Sequence, residues 1–127
     1  MNNLTAPQTA YRRGAVMAAT PGQLVVLLYD GARRFLRQGA MAMREGQIER
    51  AHNALRRAER IINHLDATLD FNQGEVPQLL HALYQFSLRH LGDARLEQDP
   101  GKVEEISGML GELREAFNDI SAAVEQQ

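Results

Sequence analysis

Residues 48–69 have the sequence IERAHNALRRAERIINHLDATL, in which apolar side chains recur alternately three and four positions apart. This spacing places them on one side of an α-helix, because successive residues turn by about 100° around the helix axis. The segment therefore predicts a helix with a single packing seam along its length. The seam comprises Ile48, Ala51, Leu55, Ala58, Ile62, Leu65 and Leu69.

Another helix is predicted in front of this segment. Thr20 is a good N-cap residue, and Pro21 suits the first helical position, where no backbone N–H needs an intrahelical partner. This helix is predicted to end near Arg44, because Gly46 is a typical residue just past a helix end.

Two further helices are predicted towards the C-terminus. One follows the stop signal at residues 72–74 and begins near Pro77, and the other begins at Asp99-Pro100, an N-cap followed by proline. The seam of the last helix comprises Val103, Ile106, Leu110, Leu113, Phe117, Ile120 and Val124. No alternating strand pattern occurs, so we predict an all-α antiparallel four-helix bundle over residues 20–127, preceded by an irregular N-terminal arm over residues 1–19.

Residues 24–29, Leu-Val-Val-Leu-Leu-Tyr, carry more apolar surface than a bundle helix needs. Six consecutive apolar side chains point all the way round a helix, whereas packing in a bundle requires only an apolar stripe. Several exposed leucines and valines together would form an adhesive patch. We therefore expect the outward part of this run to be covered by another helix, by the arm, or by a partner.

Five glycines lie inside the predicted helices, namely Gly31, Gly39, Gly92, Gly108 and Gly111, and each costs about 1 kcal/mol relative to alanine in a helix interior. We expect Gly31 and Gly39 to mark close helix crossings. Gly108 and Gly111 lie one turn apart in the last helix and predict local looseness there.

Composition and charge bound the class of protein. The chain has 127 residues, a formal net charge of −2 and no cysteine, which indicates one domain without disulfides or thiolate sites. Residues 1–68 hold 10 Arg against 5 acidic residues, and residues 99–127 hold 2 basic against 7 acidic residues. This asymmetry fits solvated helix faces or two oppositely charged partner surfaces. No segment reaches the ~20 apolar residues of a membrane span and no secretory signal is evident, so we expect a cytoplasmic protein without membrane insertion.

Motifs for catalysis or cofactor binding are not found in the sequence. A carboxylate-bridged metal bundle takes two Glu-x-x-His pairs, and the chain has only Glu49–His52. No nucleophile elbow or glycine-rich phosphate loop occurs. Arg56, Arg57 and Arg60 favour a solvated face over a phosphate contact, because no aromatic residues alternate with them. We expect no enzyme activity, no cofactor, no metal and no nucleic-acid partner.

Several landmarks follow one another in the order typical of a known family. They are Tyr11 and Val16, residues 19–24, residues 28–32 with Phe35, then Asn53, Leu55, Ala58, residues 61–62 and Leu65, then residues 83–84 with Arg89 and Leu91, and finally residues 113–117. In this order the chain resembles the flagellar export chaperone family, FliS. It departs from the family pattern at Phe117, where the family usually has tryptophan, at Gln23, where an acid is common, and over residues 92–95.

The resemblance implies a cytosolic chaperone that binds the disordered C-terminal segment of flagellin. Masking that segment would prevent premature polymerisation and aid delivery to the flagellar type III export apparatus. The implied partners also include an export-gate component and other flagellar regulators. We expect the free chain to be a monomer that binds its guest one to one.

The residues predicted to bind the guest combine the apolar excess with the family pattern. An amphipathic guest helix inserts side chains at i, i+3 and i+4 positions into an apolar channel. The full set is Tyr11, Val16, Leu24, Leu27, Leu28, Asn53, Ile61 and Leu65. Tyr11 and Val16 would hold the arm on the bundle or join the guest site, and Asn53 would fix a backbone or guest hydrogen bond. For Tyr29 and Asp30 we favour structural roles.

Three alternatives remain open from the sequence. One is a helical adaptor for another secreted protein, which would share the bundle and the channel. A second is a self-associating structural bundle, and a third is a metal-dependent bundle enzyme.

Overall fold

Four α-helices form the part of the chain that the structure describes. The computed structural model describes residues 21–125, without the side chains of residues 121, 124 and 125. The helices are α1 (Pro21–Arg44), α2 (Ile48–Ala67), α3 (Val76–Glu97) and α4 (Pro100–Glu125), and no strand occurs within this range. The predicted all-α fold is therefore confirmed, while the predicted arm and the Thr20 cap lie outside the described residues.

The helices pack in a ring in which each contacts the next, α1 most extensively with α2 and α4. Ion pairs between helices give their direction. Along α1, Asp30 pairs with Arg114 and Arg44 pairs with Glu104, so α1 and α4 run antiparallel. The same reversal holds between α2 and α3, where Asp66 contacts His81 and Glu59 contacts Arg95. The arrangement is the up-down-up-down topology expected when short loops join the helices.

The core lies between the four helices, and the predicted α2 and α4 seams supply part of it, although Ile120 of the α4 seam is 60% exposed. Its largest fully buried side chains are Tyr29, Tyr84, Leu36, Leu55, Ile62, Leu91, Ile106, Leu110, Val103 and Ser87. Tyr29 and Tyr84 come from α1 and α3, which are diagonal in the ring, and their hydroxyl groups share a hydrogen bond in the middle of the bundle. The polar ends of both rings are thereby satisfied without water, as buried hydroxyls require.

The predicted α2 seam does not reach the core at Ile48, whereas Leu69 at its other end is partly buried and packs against the core. Ile48 is the first helical residue and is 64% exposed. The helix stops at Ala67 instead of continuing to residues 72–74. The Thr68 hydroxyl donates to the Leu65 carbonyl, and the Asp70 carboxylate accepts from the Asn72 N–H. Such local side-chain bonds satisfy the backbone in turns and compete with helix continuation.

The start of α4 follows the predicted cap. The Asp99 Oδ1 accepts a hydrogen bond of 2.9 Å from the backbone N–H of Gly101, the second residue of the helix. An acidic N-cap satisfies a donor that has no intrahelical partner, and proline at the first position removes another. The predicted break after α1 also occurs, with Gly46 at φ +71°.

The glycines divide into close crossings and open positions. A Cβ at Gly39 would lie 2.8 Å from the Leu55 Cδ2, so the predicted close crossing of α1 and α2 is confirmed there. At Gly31 the nearest side-chain atom, the Ile61 Cδ1, is at an ordinary contact distance of 3.4 Å. A Cβ added at Gly108 would meet no atom within 4 Å outside its own helix backbone, whereas Gly111 lies against the guanidinium of Arg33. A Cβ at position 111 would lie 2.9 Å from the Arg33 Cζ, so the guanidinium, the end of a flexible side chain, would have to shift.

Candidate functional site

The apolar run at the start of α1 is divided between the core and the surface. Val26 and Tyr29 are buried, as the packing stripe requires. Leu24 is 37% exposed, and Leu27 and Leu28 are partly buried. The run therefore supplies more apolar side chains than the bundle itself covers, as the sequence predicted.

Helix α2 contributes Ile61 beside this run. Ile61 is partly buried and packs against the core, and its Cδ1 faces the backbone of α1 at Gly31. A Cβ at position 31 would lie 3.4 Å from this Cδ1, an ordinary contact, so the Ile61 side chain fills the space between the two helices there. Leu65, one turn further along α2, is 3% exposed and belongs to the core, so it supports the surface from beneath.

Phe35, further along α1 than the apolar run, lies next to two arginine side chains. The guanidinium of Arg34 lies 5.5 Å from the centre of the Phe35 ring, and that of Arg57 lies 5.7 Å from it. A cation over an aromatic face is attracted by the ring quadrupole. We call Leu24, Leu27, Leu28, Phe35 and Ile61 the α1/α2 surface; it is apolar along its length and positively charged at its Phe35 end.

The other predicted site residues have different surroundings. Asn53 is exposed on α2, and its amide makes no hydrogen bond with residues 21–125. Its predicted bond is therefore not made within that range. Tyr11 and Val16 lie outside the described residues. Asp30 is held by Arg114 at 3.0 Å, which together with the buried Tyr29 agrees with the structural roles expected for both.

A second concave feature lies on the opposite flank of α1 and was not predicted from the sequence. It is a cleft of about 530 Å³ between α1 and α4, which we call the α1/α4 cleft. Its lining comprises Arg33, Leu36, Arg37, Ala40, Met41, Arg44, Glu104, Ser107 and Gly108. The spacing of Arg33, Arg37 and Arg44 along α1 is helical and was a usable signal. The facing glycine comes from a distant part of the chain.

Two contacts fix the arginines at the ends of the cleft. The Arg33 Nε donates to the Ser107 carbonyl at 3.0 Å, and its guanidinium lies across Gly111. Arg44 binds both carboxylate oxygens of Glu104, at 2.7 and 2.9 Å. This bidentate pairing holds the pKa of the Glu104 carboxyl below its ordinary value.

Comparison with known proteins decides the family. The sequence model described as "Flagellar protein FliS" matches residues 1–124. The chain belongs to the FliS family. It is 35% identical over 111 residues to the flagellar secretion chaperone FliS of Bacillus subtilis, covering 87% of this chain and 83% of the relative. It is 38% identical over 109 residues to the FliS of Salmonella typhimurium, covering 84% and 81%, and 30% identical over 120 residues to that of Campylobacter jejuni, covering 94% and 92%.

The departure of this FliS-family chain at Phe117 leaves the local packing intact. The Phe117 ring packs against the core with its centre 5.7 Å from that of Tyr29, within the range of favourable aromatic pairs. Burial raises the pKa of the Tyr29 hydroxyl, which is also hydrogen-bonded to Tyr84. The two tyrosines are therefore neutral structural groups of the bundle at all ordinary pH values.

Two further features of this FliS-family chain concern metals and membranes. Within residues 21–125, no three His, Cys, Asp or Glu side chains are grouped so that they could hold a metal ion. None of the four described helices is both long and apolar enough to cross a membrane.

Proposed function

We propose that this protein is a flagellar export chaperone that binds the C-terminal segment of flagellin on the α1/α2 surface. The observation that carries the proposal is the part-exposed Leu24, Leu27 and Leu28 beside Ile61 in a chain of the FliS family. The curated relatives named above are flagellar secretion chaperones, so membership of the family supports the same activity here. Binding keeps the segment from polymerising before it reaches the type III export apparatus.

The guest binds as an amphipathic helix laid along the α1/α2 surface. Leu24, Leu27 and Leu28 follow the spacing that receives anchors at i, i+3 and i+4 of a guest helix. Each leucine is already partly covered, so its docking gains less than the about 1.5–3 kcal/mol of a full transfer from water. Several anchors must act together, because the guest also loses conformational freedom as it becomes ordered.

The Phe35 end of the surface favours an acidic side chain on the polar side of the guest helix. Arg57 is exposed, and no carboxylate within residues 21–125 lies in ion-pair range of it. A guest carboxylate placed there would meet a cation already oriented by the Phe35 ring.

The N-terminal arm, residues 1–19 with Tyr11 and Val16, covers the surface in the free protein and gives way to the guest. In the cell the protein acts in the cytoplasm as a monomer that binds one guest, and it also contacts an export-gate component and other flagellar regulators.

Isothermal titration with the C-terminal segment of the organism's own flagellin tests the proposal. We expect one-to-one binding with a negative heat-capacity change, because apolar surface is buried. Leu27→Asp should weaken binding by about ten- to a hundredfold, since it removes an apolar anchor and requires a carboxylate to be desolvated.

Leu96→Asp is the matched control for this titration. Leu96 is 86% exposed near the end of α3, away from the α1/α2 surface, so the same change there should leave affinity within about twofold. No heat from folded wild-type protein would contradict the chaperone assignment. Equal affinity for wild type and the Leu27 variant would remove Leu27 from the site, and a mass that rises with concentration would favour a self-associating bundle.

A further inference from the structure

We propose that the α1/α4 cleft is a second docking site, which takes an acidic amphipathic helix of a partner protein. The cleft lies on the α4 flank of α1, and the α1/α2 surface lies on the α2 flank. A partner can therefore occupy the cleft while the α1/α2 surface holds a guest. The inference is independent of what that guest is.

The charge of the cleft sets the chemistry of its partner. Its lining contains three arginines and one glutamate, which leaves a surplus of two positive charges. Arg44 is already neutralised by Glu104. Arg37 is exposed, and no carboxylate within residues 21–125 lies in ion-pair range of it. Arg33 uses only its Nε within that range, for Ser107. Two guanidinium groups therefore remain for the carboxylates of a partner.

The spacing of those groups matches a helix. Arg33 and Arg37 are one turn apart on α1, and a rise of about 1.5 Å per residue separates their Cα atoms by about 6 Å along the axis. Acidic residues at i and i+4 of a partner helix lying along the cleft have the same separation.

The floor and wall of the cleft are shaped for close apolar contact. Leu36 and Ala40 are buried at its floor, and Met41 is 61% exposed at its edge. Methionine is flexible and polarisable, so it adapts to the side chains of a partner. An amphipathic helix would therefore place apolar side chains over Met41 and carboxylates over Arg33 and Arg37.

Because residue 108 is glycine, no side chain projects from α4 into the cleft at this position. A Cβ at this position would meet no atom within 4 Å, so packing inside the chain does not require glycine there. Glycine nevertheless costs about 1 kcal/mol relative to alanine in a helix interior. A partner backbone approaching α4 supplies a reason for its presence, because glycine permits closer approach than any residue with a side chain.

The test uses two synthetic helical peptides with the same leucine pattern at i, i+4, i+7 and i+11. One carries glutamate on its polar face and the other carries lysine, and binding to the full chain is followed by fluorescence anisotropy. We expect the acidic peptide to bind at least about tenfold more tightly than the basic one, and its affinity to fall as salt is raised.

Two matched pairs of variants locate the contact. Gly108→Leu places a side chain in the cleft, whereas Gly92→Leu adds the same side chain on α3, where a Cβ also meets nothing within 4 Å. We expect the first variant to weaken binding of the acidic peptide by about tenfold and the second to leave it within about twofold. If Gly108→Leu does not fold, Arg37→Glu against Arg56→Glu makes the same comparison with the same reversal of charge, two units at each position, since both arginines are exposed.

Each outcome decides the proposal. Weaker binding of the acidic peptide to the Gly108 and Arg37 variants than to their controls, with helical content and melting temperature unchanged, supports it. Equal binding of the acidic and basic peptides, or equal affinities for the cleft variants and their controls, overturns it. Sedimentation that shows a wild-type dimer dissociated by Gly108→Leu also overturns it, because the occupant is then a second copy of this chain.

Discussion

Replacing Gly39 by alanine tests how closely α1 and α2 approach. The added Cβ would lie 2.8 Å from the Leu55 Cδ2, 3.2 Å from its Cγ and 3.7 Å from the Ala54 Cβ. Leu55 is fully buried among core side chains, so it cannot rotate away without disturbing its neighbours. Adding a methyl group to a packed interior of this kind costs about 1–3 kcal/mol.

The net effect also includes a favourable term from helix propensity. Alanine is better than glycine in a helix interior by about 1 kcal/mol, so Gly39→Ala should lower the free energy of unfolding by about 0–2 kcal/mol. Gly108→Ala gains the same propensity term without a clash, because its Cβ would meet nothing within 4 Å. The two variants should therefore differ by about 1–3 kcal/mol, and the propensity term cancels in that difference.

Urea denaturation followed by helical circular dichroism measures both values. Equal slopes against urea are required before the free energies are compared. For a domain of this size, each kcal/mol should correspond to a shift of about 4 °C in melting temperature. If Gly39→Ala stabilises the protein as much as Gly108→Ala does, the α1–α2 crossing is looser than the structure indicates and the reasoning is refuted.

Three other predictions concern the buried tyrosines, the Arg44–Glu104 pair and the arm. Tyr84→Phe should lower the free energy of unfolding by about 1–3 kcal/mol, because the Tyr29 hydroxyl loses its hydrogen-bond partner. Replacing both tyrosines by phenylalanine should cost less than the sum of the two single changes. Additive losses in urea denaturation would argue against the shared hydrogen bond. Arg44→Gln should raise the pKa of the Glu104 carboxyl, followed by NMR titration. The stabilisation from this pair is present above the pKa of an unfolded glutamate and is lost as pH falls through the lower folded pKa, so an unchanged Glu104 titration would contradict the pairing. Removing residues 1–19 should tighten guest binding if the arm competes for the α1/α2 surface, and weakened binding in titration would assign the arm to the guest site instead.

Much of the fold could be predicted because its signals are local. The seam spacing in α2 and α4 and the Asp99-Pro100 start each depend on residues within a few positions of one another. The predicted end of α2 was wrong, because Thr68 and Asp70 form hydrogen bonds to nearby backbone groups. These hydrogen bonds terminate the helix before the glycine at position 74. Such a choice depends on side-chain conformation, which apolar periodicity does not contain.

The candidate site was predictable only in part, for a related reason. Six apolar residues in succession show that some must face outward, but the neighbouring helices decide which ones do. Tyr29 contacts Tyr84 in the core, so the Tyr29 side of α1 faces inward. Val26 lies on this buried side, whereas Leu27 points away from it. The α1/α4 cleft is lined by residues 33–44 of α1 and 104–108 of α4, and no local pattern shows that these distant parts of the chain lie together.

Helix α1 is the element that both candidate surfaces share, and its position in the ring explains why. Because α1 packs on α2 and α4, its core-facing stripe is fixed, and the two flanks beside that stripe are free to differ in chemistry. Towards α2 the flank is apolar, around Leu28, and towards α4 it is basic, around Arg37. These two positions are nine residues apart, about 13 Å along the axis, and lie on opposite flanks. A single rigid helix can therefore present an apolar surface to a guest and a cationic cleft to a different partner without either contact requiring the bundle to rearrange.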